Sequence, residues 1–154
     1  YEAGRIPGRP NLPSICATAT AVAVAWSERV ERDQRLRRLT DRLRTRVPAL
    51  IPNCVVLGSD DRVCHTVTMS FLYVSGAALA AELDAAGFAV GSGSACSSDA
   101  LTPSHVLAAM GALTEGNLRI SLPWDADDAM VDAFLSALPG CVQRIRERFG
   151  APND

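Results

Sequence analysis

One cysteine stands where a reacting group would be useful. Cys96 lies in the run Gly91-Ser92-Gly93-Ser94-Ala95-Cys96-Ser97-Ser98, made only of small residues. Glycines free the backbone and serines add hydrogen bonding without bulk. A structural cysteine belongs instead in an apolar strand or helix, where Cys54 and Cys141 are expected. Cys96 is therefore the one cysteine placed to reach a substrate. Loop composition leaves two readings open, a nucleophile or a loop cysteine with no task. Arg119, taken alone, reads as a surface arginine at a strand edge. His105, one turn into a helix, and His65, at a strand start, read as structural rather than as an acid or base.

The rest of the composition narrows the chemistry. Five cysteines, an odd number with no C-x-x-C spacing, argue against a disulfide framework or a zinc knuckle and fit a reducing, cytoplasmic setting. Cys64 beside His65 lacks the further ligands of a metal site, and neighbours in a strand point to opposite faces. All fifteen basic residues are arginine. The chain thus offers no lysine amine for a Schiff base, and a permanently protonated guanidinium cannot replace it. The 154 residues, 48% hydrophobic and 21% charged, suit one globular domain with a core that needs no metal or disulfide. A formal charge of -2 gives no electrostatic reason to expect nucleic acid. No apolar run approaches the roughly 20 residues of a membrane span, and no signal peptide is visible. The start at Tyr1 suggests a processed or trimmed chain.

Residues 1–13, with three prolines and two glycines, read as an extended arm. Residues 14–154 read as a single domain. Ser14 is expected to cap a helix over residues 15–47, with Leu36, Leu39, Leu43 and Val47 as its apolar stripe. Glu28/Arg32, Glu31/Arg35 and Asp33/Arg37 are i,i+4 pairs in the favourable order. Eight arginines between residues 28 and 46 interleave with four acids, which describes a solvated face rather than a nucleic-acid patch. Pro48 and Pro52 are expected to end the helix. Strands follow at 54–58 and 65–72, joined by the turn residues Ser59, Asp60 and Asp61. Ser75 caps a helix through Ala86, with Leu79 and Leu83 inward and Gly87 as the stop. A short strand is expected at 88–90, a helix from Thr102-Pro103 to about Met110, and a strand at 117–122. Asp125 is expected to cap the last helix, with Met130, Phe134, Leu138 and Val142 on one side and Pro139-Gly140 kinking or splitting it. The sum is an α/β fold, a small, mostly antiparallel sheet covered by helices.

Three strings then carry a resemblance. The glycine/serine run through Ala95-Cys96-Ser97, then Pro103-Ser104-His105-Val106-Leu107, then Gly116-Asn117-Leu118-Arg119-Ile120-Ser121-Leu122, are similar in content, order and spacing to the C-terminal third of bacterial cysteine desulfurases. These are class V aminotransferases with the aspartate-aminotransferase fold. Gly4-Arg5-Ile6-Pro7-Gly8 and Asn11-Leu12-Pro13 look like the segment after the family's cofactor-binding region. The stretch from His65 through Ser70 and Gly76 resembles its strand-turn-helix. The resemblance implies the C-terminal small domain of that fold. In the parent enzyme it implies pyridoxal phosphate as electron sink and L-cysteine as substrate. Cys96 would match the loop nucleophile, keeping the sulfur as a persulfide while alanine leaves. Arg119 would match the arginine that grips the substrate carboxylate, a role suited to a planar, permanently charged fork. A sulfur-acceptor or scaffold protein, iron-sulfur cluster assembly or thiolation, and a cytoplasmic homodimer are implied for the parent protein.

The family's Schiff-base lysine and the residues that hold the cofactor ring lie upstream of Tyr1. No cofactor-binding residue is therefore assigned, and no cofactor is expected on this chain alone. Where the family has a threonine after the glycine aligned with Gly8, toward the cofactor phosphate of the partner subunit, this chain has Arg9 and then Pro10. The chain reads as a fragment or as a stand-alone small-domain relative. Other classes stay open: a non-catalytic sulfur-carrier or partner-binding module, or a thiol-redox protein, which would need a second cysteine near Cys96. Within the enzyme class, a selenocysteine lyase is a close relative.

Overall fold

The computed structural model describes residues 2–5, 8–92, 105–113 and 115–150. Its longest element, α1, runs from Leu12 to Leu50, about 58 Å at 1.5 Å per residue. Asn11 rather than Ser14 is the cap, its side chain accepting from the Ser14 N–H at 3.2 Å. Pro13 falls in the first turn, where a missing N–H costs little. The expected extended arm is thus shorter, and it holds a 3-10 turn at Glu2–Gly4. At the other end α1 passes through Pro48, which was expected to stop it. Val47 is fully buried, Ile51 is nearly so, and the Ile51 N–H still donates to the Val47 carbonyl at 2.9 Å. Packing holds the last turn against the loss of one bond.

Three strands follow: β1 (Cys54–Leu57), β2 (Thr66–Phe71) and β3 (Asn117–Ser121). They form one antiparallel sheet in the order β1-β2-β3, with Val55 opposite Ser70 and Thr68 opposite Arg119. Between β2 and β3 come α2 (Gly76–Ala85) and the short α3 (His105–Ala109); α4 (Asp128–Arg148) closes the described chain. Ser75 caps α2 and Gly87, at φ +88°, stops it, both as expected. The cap of α4 is Asp127, which accepts from Met130 N–H at 2.9 Å, two residues beyond the expected Asp125. Pro139-Gly140 does not split α4, because Leu138, Cys141 and Val142 are all buried around it. The expected strand at 88–90 does not form. The Phe88 N–H is spent on the Leu83 carbonyl at 2.8 Å, closing α2, and its ring meets Phe134 edge-on at 5.4 Å.

Strand parity divides the sheet into two unlike faces. Val67, Met69, Phe71, Leu118 and Ile120 point inward and are buried. Against them pack the α1 stripe Leu36, Leu39, Leu43 and Val47, with Leu79 and Leu83 of α2 and the apolar side of α4. On α4 that side includes Val131 rather than Met130, which is 47% exposed at the helix start. The other face carries Val55, Thr66, Thr68, Arg119 and Ser121, half-buried or exposed, and at one end Ser70 and Asn117, which are buried. The fold is thus two layers, with one face of the sheet left open.

Tight backbone approaches fix β3 in this layout. Gly116, at φ +72°, sits so close to β2 that a Cβ there would lie 2.2 Å from the Phe71 carbonyl oxygen. Arg146, nearly buried in α4, donates to the carbonyls of Pro52 (2.7 Å) and Leu72 (3.3 Å), tying the start of β1 to the end of β2.

Candidate functional site

Arg119 is the centre of β3, on the open face. Its backbone pairs with Gly91 in both directions: Arg119 N–H donates at 2.7 Å and its carbonyl accepts at 2.9 Å. Its guanidinium lies along Gly91, where a Cβ would sit 3.4–3.7 Å from the fork. The absent side chain therefore gives the guanidinium room. Ser92, the next residue, is half-buried. Residues 93–104 follow, so Cys96 and the expected helix start at Thr102-Pro103 lie outside the described residues.

The electrostatics of this face are simple. Its strand residues beside Arg119 are neutral: Thr66, Thr68, Ser70, Asn117 and Ser121. Arg38 and Arg42 hold Asp128, and Arg144 and Arg148 hold Glu82. Among the described residues no carboxylate or carbonyl accepts from the Arg119 guanidinium. An exposed fork, unpaired and surrounded by neutral groups among the described residues, is suited to a carboxylate ligand.

Asn117 is a feature the sequence reading missed. It is 3% exposed, and neither its amide nitrogen nor its amide oxygen meets a partner among the described residues. Its place two residues before Arg119, hence on the same face, was the available signal. Ser70 opposite it is buried too, with its hydroxyl donating to the Glu115 carbonyl at 3.5 Å.

The remaining groups sort as follows. His65 is exposed at the start of β2, its carbonyl accepting from Leu122 N–H at 2.8 Å, and His105 is exposed at the start of α3. Arg9 is exposed ahead of α1. Burial pushes the Cys54 thiol up to about 11, partly offset by the charge of Arg146. Burial, then the hydrogen bond and charge of Asp33, raise Cys64. Cys141 is buried. Cys16 is exposed on α1, the one exposed cysteine among the described residues, and Cys96 lies outside them. A cavity of about 470 Å³ between residues 87–90, 120–123 and α4 has apolar walls such as Phe88, Leu122, Met130 and Phe134. It brings no reactive group together.

Pyridoxal phosphate does not fit these residues as a covalent cofactor, because none of the 154 is a lysine. Among the described residues no cluster of three or more His, Cys, Asp or Glu could hold a metal ion, and no helix is long and apolar enough to cross a membrane.

Comparison with known proteins gives the architecture a family. Residues 3–134 match the family model described as aminotransferase class-V. An IscS-like cysteine desulfurase of Mycobacterium tuberculosis is 41% identical over 144 residues, which are 90% of this chain and 37% of the relative. A cysteine desulfurase of Gluconacetobacter diazotrophicus is 36% identical over 150 residues, 95% of this chain and 38% of the relative. Among solved structures, a NifS-like protein superposes with a TM-score of 0.69 at 25% identity, covering 93% of this chain and 35% of its own. A NifS-like protein from Rickettsia africae gives 0.74 at 21% identity, covering 88% and 36%, a likeness of fold alone. The chain spans less than two-fifths of the length of these relatives. Its small antiparallel sheet with helices on one face is a portion of their aspartate-aminotransferase-like fold, and the chain belongs to the class-V aminotransferase family.

Proposed function

We propose that the chain is the carboxylate-binding and sulfur-accepting part of a cysteine desulfurase. The observation that carries this reading is the position of Arg119: exposed on the open sheet face, unpaired among the described residues, and hydrogen-bonded through its backbone to Gly91, five residues before Cys96. In this reading the guanidinium binds the carboxylate of L-cysteine and orients the substrate thiol. Cys96, as thiolate, bonds to the substrate sulfur and keeps it as a persulfide, with alanine as the other product. The persulfide sulfur passes to an acceptor or scaffold protein for iron-sulfur cluster assembly or thiolation. When bound to a lysine elsewhere in the parent enzyme, pyridoxal phosphate supplies the electron sink for breaking the carbon–sulfur bond. A cytoplasmic homodimer is the proposed setting.

The test uses a lysine-bearing parent enzyme. Losing a fork-shaped ion pair costs about 2–4 kcal/mol. Arg119→Ala should therefore raise the KM for cysteine by roughly 30- to 1000-fold, since 1.4 kcal/mol is tenfold, with circular dichroism unchanged. Cys96→Ser should still bind cysteine but leave no protein persulfide. An unchanged KM returns Arg119 to a structural role. A persulfide retained in Cys96→Ser removes Cys96 from the mechanism.

A further inference from the structure

Two buried polar side chains face each other across the sheet without meeting. Ser70 and Asn117 are paired on β2 and β3 and are 1% and 3% exposed. Arg119 spends its backbone N–H and carbonyl on Gly91, on the side away from β2. Asn117, two residues earlier on β3, turns its backbone the same way. The Ser70–Asn117 pair therefore has no backbone bond of its own. It is the closer kind of antiparallel pair, with Cα atoms about 4.5 Å apart and side chains side by side. Yet no hydrogen bond joins the two side chains. Neither amide atom of Asn117 meets a partner among the described residues. The Ser70 hydroxyl reaches only the Glu115 carbonyl at 3.5 Å, the outer limit of hydrogen bonding.

A buried amide unbonded at both ends is costly, because it has lost water and gained nothing. The remainder of a longer enzyme is not the missing partner, since the amide is already enclosed within this chain. The partner is therefore small and sits inside. Its chemistry follows from the groups that face it. The amide offers two N–H donors and a carbonyl oxygen, and the serine a hydroxyl that donates or accepts. An anion would meet oxygen lone pairs there, and a cation would meet N–H groups. A neutral molecule that both donates and accepts suits the set, and water is the smallest such molecule. We propose that Ser70 and Asn117 hold one buried water molecule, bonded to the Asn117 amide and to the Ser70 hydroxyl. The water takes the place of the backbone bond that this pair lacks, and joins β3 to β2 two residues from Arg119. The site is independent of the proposed reaction.

The test uses the 154-residue chain. The Asn117 side-chain N–H protons should show cross-peaks to water that differ in sign between NOESY and ROESY spectra. That difference marks a held molecule rather than proton exchange or passing solvent. Asn117→Leu keeps the size and removes the amide. With a water bound, it leaves the Ser70 hydroxyl and the water short of bonds, so the urea midpoint should fall. An amide without a partner would make the same substitution raise the midpoint. Ser70→Ala should also lower the midpoint, and the double variant should lose less than the two losses added, because both act on one molecule. A raised midpoint for Asn117→Leu, or additive losses, overturns the proposal. So do coupled losses without the water cross-peaks, which would assign the coupling to a direct Asn117–Ser70 hydrogen bond. If neither variant folds, the wild-type spectra decide alone, and absent cross-peaks refute the site.

Discussion

Gly116→Ala is the sharpest test of how the strand carrying Arg119 is set in place. Gly116 has φ +72°, and an L-residue in that region costs about 1–2 kcal/mol. The added Cβ would also lie 2.2 Å from the Phe71 carbonyl oxygen and 2.8 Å from that of Val74. Both are backbone atoms and cannot swing aside. Relief requires the β2–β3 junction to open, weakening the Phe71 N–H bond to the Gly116 carbonyl, now 3.0 Å. Overpacking and that bond together add about 2–3 kcal/mol. The total, about 3–5 kcal/mol, corresponds to a melting-temperature loss of about 6–20 °C for a protein of this size. Two other substitutions separate the contributions. Gly58→Ala has φ +87° and nothing within 4 Å, so it carries only the conformational cost. Gly76→Ala carries only a clash, 2.6 Å from the Asn117 carbonyl oxygen. Urea unfolding followed by far-ultraviolet circular dichroism gives all three free energies. If Gly116→Ala loses no more than Gly58→Ala, the close approach of β3 to β2 is wrong, and with it the placement of Arg119.

Three further outcomes are expected. Arg146→Met should cost about 3 kcal/mol in urea unfolding, because it leaves the carbonyls of Pro52 and Leu72 without their charged donor. Leu39→Ala, at a fully buried position, should cost about 2–5 kcal/mol; Ile15→Ala, 54% exposed, should cost under about 0.5 kcal/mol in the isolated chain. The Cys54 thiol is raised from 9.0 to about 11 in the folded state. Its contribution to stability should therefore be complete below pH 9 and be lost as pH rises from 9 to 11, since the unfolded chain releases that proton first. Urea midpoints across this range should fall more steeply in the wild type than in Cys54→Ala; parallel slopes would show that the thiol is not buried as described.

Periodicity revealed what packing enforces. The stripe Leu36, Leu39, Leu43 and Val47 needed only its three- and four-residue steps, and all four are buried. Capping was legible where one candidate existed, as at Ser75, and misplaced where several stood together, as with Asp125, Asp127 and Asp128. The prolines misled because propensity is a local cost and burial a sum over neighbours. Val47 and Ile51 hold the last turn of α1 beyond Pro48, and Leu138 and Cys141 carry α4 across Pro139. Residues 88–90 look like a strand until the helix before them claims the Phe88 N–H. At the candidate site, the motif put Arg119 on a strand, and its lack of a partner among the described residues needed the tertiary structure. Asn117 and Arg146 were hidden for a shared reason: a buried polar residue declares itself only when its neighbours are known. Arg146 did leave a trace, four residues past Val142 on the buried side of α4.

The Gly91–Arg119 bridge also sets a leash. Two hydrogen bonds pin the chain at Gly91, and Cys96 is five residues further on. Fully stretched, five residues reach about 17 Å. The sulfur atom can therefore never stray beyond a sphere of roughly that radius plus one side chain, centred beside the guanidinium. Covalent geometry alone thus bounds how far any group on residue 96 lies from the Arg119 strand.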